Sequence, residues 1–103
     1  MIKHIVMWRV KDKALGKTKE ENIADIKIML EKLKTVITEI KDIEVGINVE
    51  DLTGSHDIVL YTTFENEEDL DAYQKHHEHL EVAKFIRQVV ADRACVDYKV
   101  GEN

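Results

Sequence analysis

Tyr73 and three of the five histidines of this 103-residue chain fall within Tyr73-Gln74-Lys75-His76-His77-Glu78-His79. Tyr73, His76 and His79 are spaced three apart, so on a helix they follow one another along one face. His4 lies on the more apolar face of an alternating N-terminal run and is placed to meet them across a sheet-helix interior. A phenol and imidazoles converging in an apolar pocket suit proton transfer at a carbon next to a carbonyl. One group acts as base and another stabilises the enolate oxygen. The competing reading makes His4 a core histidine with a backbone partner, Tyr73 an amphipathic cap, and His76 and His77 solvated residues.

The run His76-His77-Glu78-His79 also suggests a metal. Helical metal pairs stand at i and i+4 or as Glu-x-x-His, whereas these histidines offer i and i+3, and no distant carboxylate or cysteine set completes a shell. No metal is assigned. Asp57, Trp8 and Phe85 are the candidates for contacting a bound molecule. Asp57 opens a strand and is placed to orient an imidazole, unless it and His56 stay in solvent. Trp8 and Phe85 otherwise fill core. Cys95, with no cationic cluster beside it, reads as a small buried thiol.

The elements that must position these groups follow from periodicity. Residues 2–11 alternate as a strand, with Ile2, His4, Val6, Trp8 and Val10 on one face. Thr18 and Glu21 form a capping box, after which Ile23, Ile26, Leu30, Leu33, Ile37 and Ile40 mark the stripe of a long amphipathic helix. Residues 42–50 and 56–65 return to period two around the turn-rich Asp51-Leu52-Thr53-Gly54-Ser55, predicting an antiparallel hairpin. Asn66 and the acids after it start a second helix, interrupted at the histidines and continued by Leu80, Ala83, Ile86 and Val90. Residues 93–100 form a last strand. The order β-α-β-β-α-β predicts an antiparallel sheet with helices on one face. Apolar residues on both faces of the strands require a second layer, which points to a homodimer packing sheet against sheet.

One domain is expected at this length. The formal net charge of -6, from 21 acidic and 15 basic residues mixed along the chain, offers neither nucleic acid nor anionic membrane a concentrated basic surface. The single cysteine excludes an intrachain disulfide and fits a reducing cytoplasm. The N-terminus is too short and charged for a signal peptide, and no apolar run approaches the ~20 residues of a membrane span.

Three stretches together resemble the stress-responsive A/B barrel domain family. They are Lys3-His4-Ile5-Val6-Met7-Trp8-Arg9-Val10-Lys11, Asp57-Ile58-Val59-Leu60-Tyr61-Thr62-Thr63-Phe64-Glu65, and Leu70-Asp71-Ala72-Tyr73-Gln74-Lys75-His76-His77-Glu78-His79. The resemblance spans residues 1–100 and leaves 101–103 as a C-terminal tail. It implies an α+β, ferredoxin-like β-α-β-β-α-β unit with a four-stranded antiparallel sheet, assembled as a homodimeric α/β barrel. It also implies a pocket with His4, Tyr73 and His79 as catalytic residues, as in a plant cyclase of the family that closes a linear polyketide by an aldol step without a cofactor. On this resemblance His79 is expected to be the base, with Tyr73 hydrogen-bonded to it and His4 holding the substrate oxygen. Two positions depart from the pattern: His77 replaces a proline, letting the helix begin earlier, and Asp57 stands where the cyclase has a histidine. Family members also include heat-stable, stress-induced proteins, so a non-enzymatic, stress-protective stable dimer is an alternative reading, and a monooxygenase-like reaction without cofactor is a further variant on the similar barrel.

Overall fold

The N-terminal alternation forms strand β1 (Ile2–Val10) in the computed structural model, which describes residues 1–50 and 52–101. Ile2, His4, Val6, Trp8 and Val10 are buried, whereas Met7 and Arg9 between them are exposed, as period two requires when one face is covered. A small hairpin absent from the sequence reading follows, β2 (Lys13–Ala14) and β3 (Lys17–Thr18). Its two central residues, Leu15 and Gly16, have φ of 53° and 76°, the left-handed pair of a type I′ turn. Asp51 of the expected turn and residues 102–103 of the expected tail lie outside the described residues.

Helix α1 (Lys19–Val36) begins at the expected capping box. Thr18 Oγ1 accepts from the Glu21 amide at 3.2 Å, and Glu21 Oε1 accepts from the Thr18 amide at 2.9 Å. Ile23, Ile26, Leu30 and Leu33 form its buried stripe. The helix stops short of Ile40, in the β-branched run Thr35-Val36-Ile37-Thr38, whose side chains lose χ1 freedom against a preceding helical turn. Ile37 and Ile40 nevertheless stay in the core, so the apolar stripe outlasts the helix that it resembles.

Strand β4 (Asp42–Ile47) ends earlier than the alternation suggests, and β5 (Ile58–Phe64) starts two residues later. Helix α2 (Glu67–Lys75) is capped by Asn66, whose Oδ1 accepts from the Asp69 amide at 2.9 Å. Helix α3 (His77–Val89) follows, then strand β6 (Val90–Lys99). The break between α2 and α3 survives without the family's proline. His76 is extended, with φ -64° and ψ 138°, and its own Nδ1 accepts the Glu78 amide at 3.1 Å. His77 takes the first helical position, where a proline is well accommodated.

The sheet order is β4-β5-β1-β6, with every neighbouring pair antiparallel. This is the ferredoxin-like α+β arrangement, and the core lies between one sheet face and the helices. Cross-strand register places Ile2, His4, Val6 and Trp8 of β1 opposite Phe64, Thr62, Leu60 and Ile58 of β5 on that inner face. The outer face carries Ile5 beside Tyr61 and Val96, and Met7 beside Val59 and Ala94. Met7, Val96 and Tyr98 are 38%, 53% and 42% exposed, so nothing among the described residues covers it. Among the described residues, no helix is long and apolar enough to cross a membrane.

Candidate functional site

A cavity of about 370 Å³ opens between the inner sheet face and α3. Val6, Trp8 and Leu60 line its sheet side, and Val82, Ala83 and Ile86 of α3 line the other. His4, Tyr73 and His79 all face it, with the exposed side chains of Arg87 and Arg93 at its edge. Alternation of β1 brings His4 inward, and the last turns of α2 bring Tyr73. Helix α3, restarted at His76, brings His79.

Tyr73 is the hinge of the group. Its ring lies 4.5 Å from the His79 ring and 6.0 Å from that of His4, centroid to centroid, with Phe64 at 5.0 Å behind it. The residue is fully buried, yet its hydroxyl has no hydrogen-bond partner. Burial therefore pushes its acidity well below that of an ordinary phenol. The hydrogen bond from Tyr73 to His79 expected from the family is not formed: the rings pack at 50° with the hydroxyl left open. Such an orphan is costly in a folded protein.

His79 donates Nδ1–H to the Gln74 carbonyl at 3.1 Å, since a carbonyl can only accept. Its Nε2 therefore carries the lone pair. Burial is the main cause that lowers its pKa below the ordinary histidine value, with Arg93, His4 and His76 adding repulsion and the Gln74 carbonyl opposing. A neutral imidazole with a free Nε2 is the form that a base needs. His4 is held differently. Its Nδ1 meets Asp97 Oδ1 at 2.5 Å, and because the carboxylate accepts, Nε2 is left for the cavity.

The remaining predicted residues fall in various places. Trp8 lines the cavity. Phe85 is half-buried against the core and borders a shallow groove with Met29 and Glu81 on the outer side of α3. Asp57 does not line the cavity. Its Oδ2 accepts the Val10 amide at 2.8 Å where the β1–β6 register shifts, and stands 3.7 Å from Lys19 Nζ. His76 sits at the joint between α2 and α3 rather than on a shared face with Tyr73 and His79. Cys95 is exposed, not buried, because β6 is an edge strand.

Sequence reasoning missed Asp97, the residue that orients His4. Arg93, Cys95 and Asp97 alternate with Ala94, Val96 and Tyr98, so the apolar set marks the outer face and the polar set resembles a solvated one. Only the register, which pairs His4 with Asp97 directly, shows that this polar set faces the cavity side. Among the described residues, the histidines of α3 form no metal-ligating cluster. The donor atoms that lie within 4.8 Å of one another are those of His4, Cys95 and Asp97.

Comparison with known proteins agrees with this architecture. A dimeric protein of ferredoxin-like fold from Bacteroides fragilis is 34% identical, covering 95% of this chain and 94% of its own, with a TM-score of 0.81. A dimeric ferredoxin-like protein from Thermobifida fusca is 25% identical over 96% of this chain and 90% of its own, with a TM-score of 0.83. Hydroxynitrile lyase from Passiflora edulis superposes with a TM-score of 0.82 at 21% identity, covering 99% of this chain and 94% of its own. No curated protein matches the sequence. The model of the stress responsive A/B barrel domain matches residues 2–100, and the chain belongs to that family.

Proposed function

We propose that the cavity binds a small apolar or aromatic molecule carrying a carbonyl, and that the chain performs cofactor-free acid/base chemistry on it. The observation that carries this reading is the buried, unpartnered hydroxyl of Tyr73, a residue that lines the cavity together with two histidines. In this reading His79 Nε2 removes a proton from the carbon next to the carbonyl, and the Tyr73 hydroxyl donates to the oxygen on which charge develops. His4 Nε2 accepts a hydroxyl hydrogen of the ligand, or donates to its oxygen when the ring is protonated. The lyase and other structures under 25% identity support the fold alone and do not select the reaction.

The test is exchange of α-hydrogen for deuterium in an aryl methyl ketone, followed by proton NMR in D2O. Wild-type protein is expected to accelerate the exchange, and His79→Gln to lose roughly 10²–10⁴ of that acceleration. Absence of acceleration, together with no ligand-induced rise in melting temperature across aryl ketones and β-diketones, would favour a stress-protective dimer whose useful property is stability. Oxygen uptake with a phenolic substrate would instead favour the monooxygenase-like variant.

The same reading takes the chain as a homodimer. The uncovered outer face with Met7, Val59, Val96 and Tyr98 supports it, as does the dimeric state of the Bacteroides and Thermobifida proteins. Sedimentation equilibrium should give twice the chain mass, and Val96→Glu should shift the population to monomer. A monomeric wild type would refute the assembly.

A further inference from the structure

On the inner side of β6, beside the cavity, three donor atoms of different chemistry meet. Cys95 Sγ lies 3.8 Å from His4 Nδ1 and 3.9 Å from Asp97 Oδ1, and that nitrogen and oxygen are 2.5 Å apart. The register makes this inevitable: His4 pairs with Asp97 and Val6 with Cys95, so residues 95 and 97 share the face on which His4 lies. As a nucleophile Cys95 is badly placed. The imidazole nitrogen nearest its sulfur is already engaged by Asp97, and burial followed by the Asp97 charge pushes the thiol pKa up. The same neighbours are what a cation would gather.

We propose that His4 Nδ1, Cys95 Sγ and Asp97 Oδ1 form a binding site for a thiophilic divalent cation, with zinc as the prototype. Zinc bonds of about 2.0–2.1 Å to nitrogen, 2.3 Å to sulfur and 2.0–2.2 Å to oxygen place tetrahedral donors about 3.3–3.6 Å apart. Both separations involving sulfur are within a few tenths of an ångström of that. The nitrogen and oxygen must part by about 0.8 Å, as two metal bonds replace their hydrogen bond. Asp97 can supply the movement, because its side chain is 43% exposed whereas that of His4 is 3% exposed. A thiolate and a carboxylate balance the charge of a divalent ion, and the sulfur selects zinc over magnesium or calcium. Arg93, which also faces Cys95, is exposed, and a bound cation would require its side chain to turn away. Three protein ligands leave a fourth position for water or ligand.

Occupancy changes what His4 offers the cavity. In the cation-free chain Nδ1–H donates to Asp97, so a neutral ring would carry its lone pair on Nε2. With the cation on Nδ1, the ring hydrogen resides on Nε2, and the face toward the cavity becomes a donor. Starting from a neutral imidazole and a thiol, one proton leaves to solvent for each cation bound.

The probe is cobalt(II), titrated into the reduced, purified chain and followed by absorption. The expected result is one equivalent per chain, with a thiolate-to-cobalt charge-transfer band and strong tetrahedral visible bands that zinc removes. Cys95→Ser should abolish the charge-transfer band and Asp97→Asn should weaken binding roughly tenfold or more, both with wild-type circular dichroism. His77→Ala should leave the titration unchanged. Cobalt binding without the charge-transfer band, or a band that survives Cys95→Ser, would overturn the site. The readout does not depend on turnover, so a failure of the ketone exchange would leave this result intact.

Discussion

Tyr73→Phe separates a structural tyrosine from one kept for a ligand. The hydroxyl is fully buried and unpartnered, and leaving such a group unsatisfied costs about 1–3 kcal/mol. The ring itself is well used, against Phe64 at 5.0 Å and His79 at 4.5 Å, and phenylalanine keeps those contacts. Removing the oxygen should therefore stabilise the ligand-free chain by about 1–2 kcal/mol. For a domain of this size each kcal/mol moves the melting temperature by about 4–8 °C, so a rise of about 4–16 °C is expected. Calorimetry at one fixed protein concentration is the assay, since association makes the midpoint depend on concentration. Ketone exchange should fall in the same variant, giving a more stable and less active chain. Tyr73→Leu is the control: loss of the ring should cost about 2–4 kcal/mol. A melting temperature that falls in Tyr73→Phe would refute the reasoning, because it would mean that the hydroxyl has a partner in the folded chain.

Three further expectations can be checked on the same preparation. His79 binds its proton less readily in the folded chain than in the unfolded one, so its contribution to stability is complete above the unfolded value of about 6.5 and is lost as pH falls toward the folded value. Histidine NMR should place its midpoint below that value, and unfolding free energy should decline with acid more steeply in wild type than in His79→Gln. Asp57→Ala removes the acceptor of the Val10 amide and should cost about 1–2 kcal/mol in urea unfolding, with ligand-induced thermal shifts unchanged. Leu15→Asn relieves a left-handed leucine and should raise stability by about 0.5–1 kcal/mol.

What was legible in the sequence was what depends on local period. The inward placing of His4 follows from alternation alone, and the start of α1 follows from Thr18 and Glu21, whose side chains close the box by themselves. The antiparallel pairing of β4 with β5 was legible from the turn between them, but pairing between strands distant in the chain was not. The register that sets Asp97 against His4 joins residues at opposite ends of the chain, and the edge position that exposes Cys95 belongs to the sheet order. The break of the second helix at the histidines was legible, but His76 as the residue that caps its second half was not, because histidine is outside the usual N-capping set of serine, threonine, aspartate and asparagine. Asp57 had the right chemistry to orient an imidazole, but the β1–β6 irregularity at Val10 claims it.

Strand β1 divides its residues by parity. Positions 4, 6 and 8 border the cavity, while 5 and 7 face the uncovered side of the sheet. Substitutions at even positions can reshape what the cavity accepts without altering the outer surface, and odd ones can alter that surface without touching the cavity. A lineage carrying this strand can therefore diversify its ligands and its contacts as separate traits, whereas a one-residue insertion within it would exchange the two faces at once.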